Sequence, residues 1–97
     1  MDIDALQQTA RALVAPAKGI LAADESSATI KRRFDAIGVE STEQNRRDYR
    51  ELLFRAHGGA DYVSGVILYD ETIRQSAADG TPMVKVLQDQ GVIPGIK

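Results

Sequence analysis

Short apolar runs that alternate with helical patterns constrain the fold of this chain more than any other feature. Gly19–Ala23 and Val63–Leu68 are too short for helices and have the continuous apolar character of strands buried on both faces. A third run, Val92–Ile96, begins another strand, although it contains Pro94 and Gly95. Strands that alternate with helices favour a parallel sheet, in which right-handed crossovers bring all carboxyl ends to one edge. The expected fold class is therefore α/β.

Amphipathic patterns predict helices before and between these strands. Asp4 is placed to cap a first helix over 5–14, which Pro16 would end because the residue before a proline avoids the α region. The apolar face of the second predicted helix consists of Ile30, Phe34 and Ile37. Gly38 follows and would end the helix, because glycine readily adopts the left-handed conformation found just after a helix C-terminus.

The later helices carry recognisable start and stop signals. Ser41–Gln44 reads as a capping box, and Gly58-Gly59 would close the helix that it opens. Asp79-Gly80 is a predicted turn, and Thr81-Pro82 resembles an N-cap followed by proline at the first helical position. The predicted buried stripe of the third helix is Tyr49, Leu52, Leu53 and Ala56.

Composition excludes several classes of function. With 43% apolar and 27% charged residues, the chain has the composition of an ordinary globular protein. Its net charge of -2, with acids and bases interleaved, leaves no basic stripe, so we expect no nucleic-acid partner. The chain has no cysteine and only one histidine, His57, so we expect no disulfide, no zinc site built from several imidazoles, and no metal or cofactor.

The amino-terminal residues give no sign of export. Met1–Asp4 carries acids where a secretory signal would carry bases, and no apolar run approaches the roughly 20 residues of a membrane span. We therefore expect no membrane partner and a cytoplasmic location.

Two polar residues directly follow predicted strands. Asp24 comes after the first apolar run, at the carboxyl mouth where α/β barrels place catalytic groups. An equally good interpretation is that Asp24 or Ser26 caps the next helix. Lys97 ends the third strand, which a parallel sheet would bring to the same mouth, about 10 Å from the first strand. The alternative interpretation of Lys97 is an exposed residue at the end of the chain.

A group of hydroxyls lies near the predicted start of the second helix. Ser26, Ser27 and Thr29 with their backbone N–H groups suit a phosphate or carboxylate, and Arg33 could reach the same anion from about two turns further on. Simple capping and a solvated surface arginine are the alternatives. Arg46-Arg47 fits an ordinary helix surface with acids at helical distances. Asp70–Thr72 places two further acids just after the second predicted strand. We interpret this segment first as a helix cap and only second as part of a site.

The block Val14–Ser26 resembles the first-strand region of class I fructose-bisphosphate aldolases. Further blocks resemble that family in its own order, namely Ile37–Glu40, Thr42–Arg47 with Tyr49–Leu53, Gly65–Leu68 with Glu71-Thr72, and Asp79–Lys97. The resemblance implies a (β/α)8 TIM barrel, which needs about 250 residues. Residues 1–97 would then be an incomplete amino-terminal segment of one barrel domain, with a leading helix, two βα units and the start of the third strand.

The resemblance also implies roles for individual residues. Asp24 matches the aspartate that contacts the reacting sugar chain and assists proton and carbinolamine chemistry near the Schiff base. Arg46 matches an arginine near the pocket for the substrate's sixth-carbon phosphate. Positions that line that pocket are matched by Ser26, Thr29, Arg33 and Lys97. The family usually has glycine and serine where this chain has Ala28 and Thr29, which keeps a hydroxyl but removes backbone freedom.

The implied activity is the reversible cleavage of fructose 1,6-bisphosphate to dihydroxyacetone phosphate and glyceraldehyde 3-phosphate in glycolysis. The family uses a lysine Schiff base, needs no metal, and is expected to act as a homo-oligomer on a sugar phosphate. Its Schiff-base lysine lies on the sixth strand, so the 97-residue chain alone is expected to be inactive. The alternative function is a non-catalytic assembly element, whose unpaired strand edges would pair with another segment or another copy.

Overall fold

The computed structural model describes residues 2–56 and 58–97, so that His57 lies outside the described residues. Helices and strands alternate along the chain as the sequence predicts. A short 3-10 turn, Gly59–Asp61, precedes the second strand. The order of the other elements is α1 (Ile3–Leu13), β1 (Gly19–Ala23), α2 (Ser27–Asp35), α3 (Glu43–Phe54), β2 (Val63–Leu68), α4 (Asp70–Ile73), α5 (Met83–Gln88) and β3 (Ile93–Ile96).

The strands form a parallel sheet with β2 in the centre. Ala23 of β1 lies opposite Leu68 of β2, and Leu68 lies opposite Ile96 of β3, so the three strands end level with one another. The α/β class and the bounds of β1 and β2 are therefore as predicted, while β3 begins one residue later than expected, at Ile93.

The core lies between the sheet and the helices α3 and α5. Leu68 and Met83 are fully buried there, and Leu87 is 1% exposed. Burying an apolar side chain of this size stabilises the fold by roughly 1.5–3 kcal/mol. The buried members of this core are Ala23, Phe54, Val66, Leu68, Ala77, Met83, Val86, Leu87 and Val92.

Helix α1 has no buried residue and contacts the sheet through its last turn. The Ser64 hydroxyl donates a hydrogen bond of 2.5 Å to the carbonyl of Leu13. The Leu13 side chain lies directly over Gly65, where an added Cβ would come within 2.5 Å of Leu13 Cδ2. A larger residue than Gly65 would therefore require the Leu13 side chain to move.

Several local predictions were off in position. The first helix begins at Ile3 with Asp2 as its cap, rather than at residue 5 with Asp4. Thr42, not Ser41, caps α3 by accepting from the Asn45 N–H at 3.1 Å. Pro82 occupies the N-cap of α5 instead of its first turn. Each of these differences moves a helix start by one or two residues. Gly38, in contrast, adopts the predicted left-handed conformation, with φ of 70°.

The predicted burial of β1 and α3 was only partly correct, since Ala23 is fully buried and Leu21 and Leu53 pack against the core. In β1, Ile20 is 50% exposed, because it points to the face of the sheet opposite the core that α3 and α5 cover. In α3, Leu52 is 75% exposed, whereas Arg50 and Phe54 are buried at 1% and 5%. No helix within residues 2–56 and 58–97 is long and apolar enough to cross a bilayer.

Candidate active site

The level strand ends bring Asp24 and Lys97 together at the carboxyl mouth of the sheet. Lys97 Nζ lies 3.8 Å from Asp24 Oδ2 and 3.4 Å from the Asp24 carbonyl oxygen. The Lys97 backbone N–H donates to the Leu68 carbonyl at 3.2 Å, which continues the ladder between β2 and β3. The Asp24 side chain is 26% exposed and that of Lys97 is 57% exposed, so both remain open to solvent and to a ligand.

Ser26 is the N-cap of α2, so this residue and not Asp24 caps the helix. Its hydroxyl accepts from the Thr29 N–H at 3.3 Å and lies 3.2 Å from the Thr29 hydroxyl. Arg32 also donates to the Thr29 hydroxyl at 3.4 Å. Because Ser26 supplies the cap, the Asp24 carboxylate is not needed for that purpose.

Arg33 stands on the same helix and pairs with Glu25, the residue between Asp24 and Ser26. An Arg33 terminal nitrogen donates to Glu25 Oε2. The Arg33 side chain is 59% exposed, while that of Glu25 is only 11% exposed. The guanidinium therefore extends into solvent from a largely buried acid, on the helix that Ser26 caps.

Arg50 of α3 is a site residue that sequence reasoning assigned no role. It is 1% exposed, and its Nη2 donates to the Glu25 carbonyl at 2.9 Å and to Glu25 Oε1 at 3.4 Å. Its Nη1 donates to the Thr72 hydroxyl at 2.6 Å. One sequence signal could have found it, because residues spaced by four, such as Arg46, Arg50 and Phe54, share one face of a helix.

Arg46 is not the ordinary surface residue that its helical neighbours suggested. Its Nε and Nη2 form a two-pronged pair with the Glu71 carboxylate, at 2.7 and 2.8 Å, and its Nη1 donates to the Ser41 carbonyl at 3.0 Å. This hydrogen-bonded pair lowers the pKa of Glu71, against the opposing effect of burial. The same pair raises the pKa of Arg46. Arg46 therefore joins α3 to α4, and its contact with substrate stays a prediction.

The charges around this mouth favour an anionic ligand. Four cationic side chains, of Arg33, Arg46, Arg50 and Lys97, stand against the three carboxylates of Asp24, Glu25 and Glu71. These seven side chains together carry one net positive charge, although the chain as a whole carries a net charge of -2. Within the described ranges, no group of three or more acidic, histidine or cysteine side chains is arranged to hold a metal ion.

Comparison with known sequences decides the family. Residues 5–97 match the family model described as "Glycolytic: Fructose-bisphosphate aldolase class-I". This chain belongs to the class I fructose-bisphosphate aldolase family. The match includes Asp24, Arg50 and Lys97, and it confirms the family that the sequence blocks resemble.

Individual aldolases align along the whole chain. A "Probable fructose-bisphosphate aldolase class 1" of Xanthomonas campestris pv. campestris is 57% identical over 97 residues, which are 100% of this chain and 29% of that protein. "Fructose-bisphosphate aldolase 1" of Toxoplasma gondii is 58% identical over 92 residues, which are 95% of this chain and 25% of that protein. The chain thus spans between a quarter and a third of the length of these relatives.

A solved aldolase structure has the same fold in this region. Fructose-bisphosphate aldolase from Plasmodium falciparum, crystallised in complex with TRAP and a small molecule inhibitor, superposes with a TM-score of 0.92. The identity is 50%, and the match covers 96% of this chain and 27% of that one. The sheet and its helices therefore form the amino-terminal part of an aldolase (β/α)8 barrel, as the sequence predicts.

Proposed function

We propose that this chain contributes to an enzyme that reversibly cleaves fructose 1,6-bisphosphate into dihydroxyacetone phosphate and glyceraldehyde 3-phosphate through a lysine Schiff base. The observation that supports this most directly is the approach of Lys97 Nζ to within 3.8 Å of Asp24 Oδ2 at the strand mouth of a class I family member. A protonated imine accepts the electron pair of the breaking carbon–carbon bond, which divides a difficult cleavage into easier steps.

Asp24 is the proposed proton-transfer group. Cleavage requires removal of the proton from the hydroxyl on the departing aldehyde carbon, and formation of the imine requires loss of water from a carbinolamine. A carboxylate at the mouth, next to an ammonium group and partly open to solvent, is placed to accept and return such protons. The cationic Lys97 beside it favours substrates that carry negative charge.

The sixth-carbon phosphate is proposed to bind between the start of α2 and Lys97. The start of this nine-residue helix presents the Ser26 and Thr29 hydroxyls 3.2 Å apart, and its dipole favours an anion there. Arg33 extends toward solvent from the same helix. Arg46, held by Glu71, is proposed to stand near this phosphate rather than to enclose it.

The remaining machinery is proposed to lie in other parts of a longer protein. In this proposal, residues 1–97 are the amino-terminal segment of a single barrel domain, and the Schiff-base lysine is contributed by a later strand. The complete enzyme is proposed to be a cytoplasmic homo-oligomer. The share of 25–29% of the relatives' length covered by this chain supports this interpretation.

The proposal is tested by an enzyme-coupled assay on the full-length protein. Fructose 1,6-bisphosphate and fructose 1-phosphate are compared as substrates, because only the first carries the sixth-carbon phosphate. We expect cleavage of the bisphosphate with the higher kcat/KM. Absence of any glyceraldehyde 3-phosphate from the bisphosphate would contradict the proposed activity.

A further inference from the structure

We propose that Arg50 is a positioning residue of this site, which holds the backbone behind Asp24 and, through the Glu25 carboxylate, orients Arg33 toward the bound phosphate. The identity of the ligand rests on the function proposed above. The contacts that support the inference belong to the described residues of three separate elements, namely the segment after β1, helix α3 and helix α4.

Arg50 joins the segments that follow two neighbouring strands. Its Nη2 donates to the Glu25 carbonyl at 2.9 Å, and its Nη1 donates to the Thr72 hydroxyl at 2.6 Å. Glu25 is covalently bonded to Asp24, and Thr72 is fully buried. The guanidinium therefore fixes the peptide next to Asp24 against a rigid part of the fold, which is what precise placement of a reacting group requires.

The Glu25 carboxylate is shared between Arg50 and Arg33. Its Oε1 lies 3.4 Å from Arg50 Nη2, and its Oε2 accepts from Arg33. Because Arg50 holds Glu25 from the buried side, the acid keeps one orientation and Arg33 is held with it. A guanidinium that is oriented before the ligand arrives loses less conformational entropy on binding a phosphate.

Stability alone does not account for a buried arginine here. Desolvation of a guanidinium is costly, and well-packed apolar side chains often replace buried ion pairs without loss of stability. Among the described residues, Arg50 Nε is buried and has no hydrogen-bond partner. What arginine adds is a planar fork whose two terminal nitrogens donate in fixed directions to acceptors on two different segments, whereas the three donors of a lysine all lie on one nitrogen.

Arg47 provides a matched control on the same helix. It is also an ion-paired arginine of α3, bonded to Glu51 and Asp48 and donating to the Ser76 carbonyl at 3.1 Å. None of these partners belongs to the strand mouth. Replacing Arg47 should therefore remove an ion-paired arginine from the same helix without changing the orientation of Arg33.

The test measures ligand binding by calorimetry in the full-length protein. The probe is a hexitol 1,6-bisphosphate, which has no carbonyl group and so binds without forming an imine, and inorganic phosphate is titrated in parallel. The variants are Arg50→Met, Arg33→Met, the double variant and Arg47→Met. We expect each single change at Arg50 or Arg33 to weaken binding about tenfold or more, as loss of a charge-assisted contact does. The double variant should bind about as weakly as the weaker single one, and Arg47→Met should bind like the wild type.

The outcomes separate the positioning role from the proposed function. Binding by Arg50→Met equal to that of the wild type, or losses that multiply fully in the double variant, would overturn the inference. If Arg50→Met does not fold, as judged by circular dichroism, Glu25→Gln decides instead, since it keeps the shape of the link and removes its charge. We expect Glu25→Gln to weaken binding, and unchanged binding would overturn the role. A wild type whose phosphate binding depends on Arg50 and Arg33 as expected, but which cleaves no sugar, would contradict the proposed function alone.

Discussion

Lys97 Nζ lies 3.8 Å from Asp24 Oδ2, although the two residues are 73 positions apart and end two strands that do not pair with each other. β2 separates them, and two strand spacings amount to about 10 Å. The pair can form because the three parallel strands end level and the lysine side chain is long enough to cross the end of β2. The Lys97 side chain is 57% exposed and that of Asp24 is 26% exposed, so a ligand can reach both.

Replacing Asp24 with alanine in the full-length enzyme should lower kcat by about 100-fold or more, since general acid–base groups contribute about that much. Folding should be nearly unchanged, because Ser26 caps α2 and the Asp24 side chain is partly exposed. The coupled cleavage assay and thermal melts measure the two effects. Asp70→Ala is the matched control, because Asp70 follows β2 but pairs with Arg74 on the surface. Unchanged turnover with a marked loss of thermal stability in Asp24→Ala would favour a capping role.

Replacing Gly65 with alanine should destabilise the protein by about 1–3 kcal/mol, as overpacking of a well-filled site does. The new methyl would lie 2.5 Å from Leu13 Cδ2 and 3.1 Å from the Ile93 carbonyl oxygen, so the Leu13 side chain must move and the Ile93 carbonyl must give way slightly. Urea unfolding measures the change. Gly19→Ala is the control, because nothing lies within 4 Å of a Cβ at that position. Equal stability of the two variants would show that α1 does not press on β2.

Asp79 should give the protein an acid-sensitive component of stability. The Thr81 backbone N–H, with help from the Thr81 hydroxyl and Arg55, lowers the pKa of Asp79 from 3.8 to about 2. A carboxylate whose pKa is lowered in the folded state stabilises the fold above its unfolded pKa, and this contribution is lost as the pH falls toward the folded value. The difference in Tm between wild type and Asp79→Asn should therefore shrink between about pH 4 and pH 2. A difference that stays constant over this range would contradict the assignment.

The sequence predicted the strands better than the helix faces, for a physical reason. β1 and β2 are continuous apolar runs between turns, so their bounds were read correctly, and residues directly after them could be placed at the mouth. In α3, apolar periodicity favoured Leu52, which is 75% exposed, over Arg50, which is buried. Arg50 is buried against Glu25 and Thr72, which lie 25 and 22 positions away along the chain. Local sequence patterns contain no information on contacts between such distant residues.

The 97-residue chain prepared alone should show no aldol cleavage and should bind sugar phosphates weakly if at all. Its candidate phosphate ligands come from separate elements, and a working site holds such groups within about 0.5 Å by means of a rigid surrounding shell. Apparent affinity falls in proportion to the population of the competent arrangement. Coupled assay and calorimetry on material with a verified mass of 10.5 kDa check this. Measurable turnover would show that the essential groups lie within these residues.

We propose that this chain supplies the Asp24 side of a Schiff-base site whose imine lysine lies elsewhere in the protein. Borohydride reduction of the full-length protein with fructose 1,6-bisphosphate, followed by peptide mapping, tests it most directly, because reduction makes the imine permanent at the lysine that formed it. We expect a single reduced adduct on a lysine outside residues 1–97. No adduct at all, or an adduct on Lys18, Lys31, Lys85 or Lys97, would contradict it.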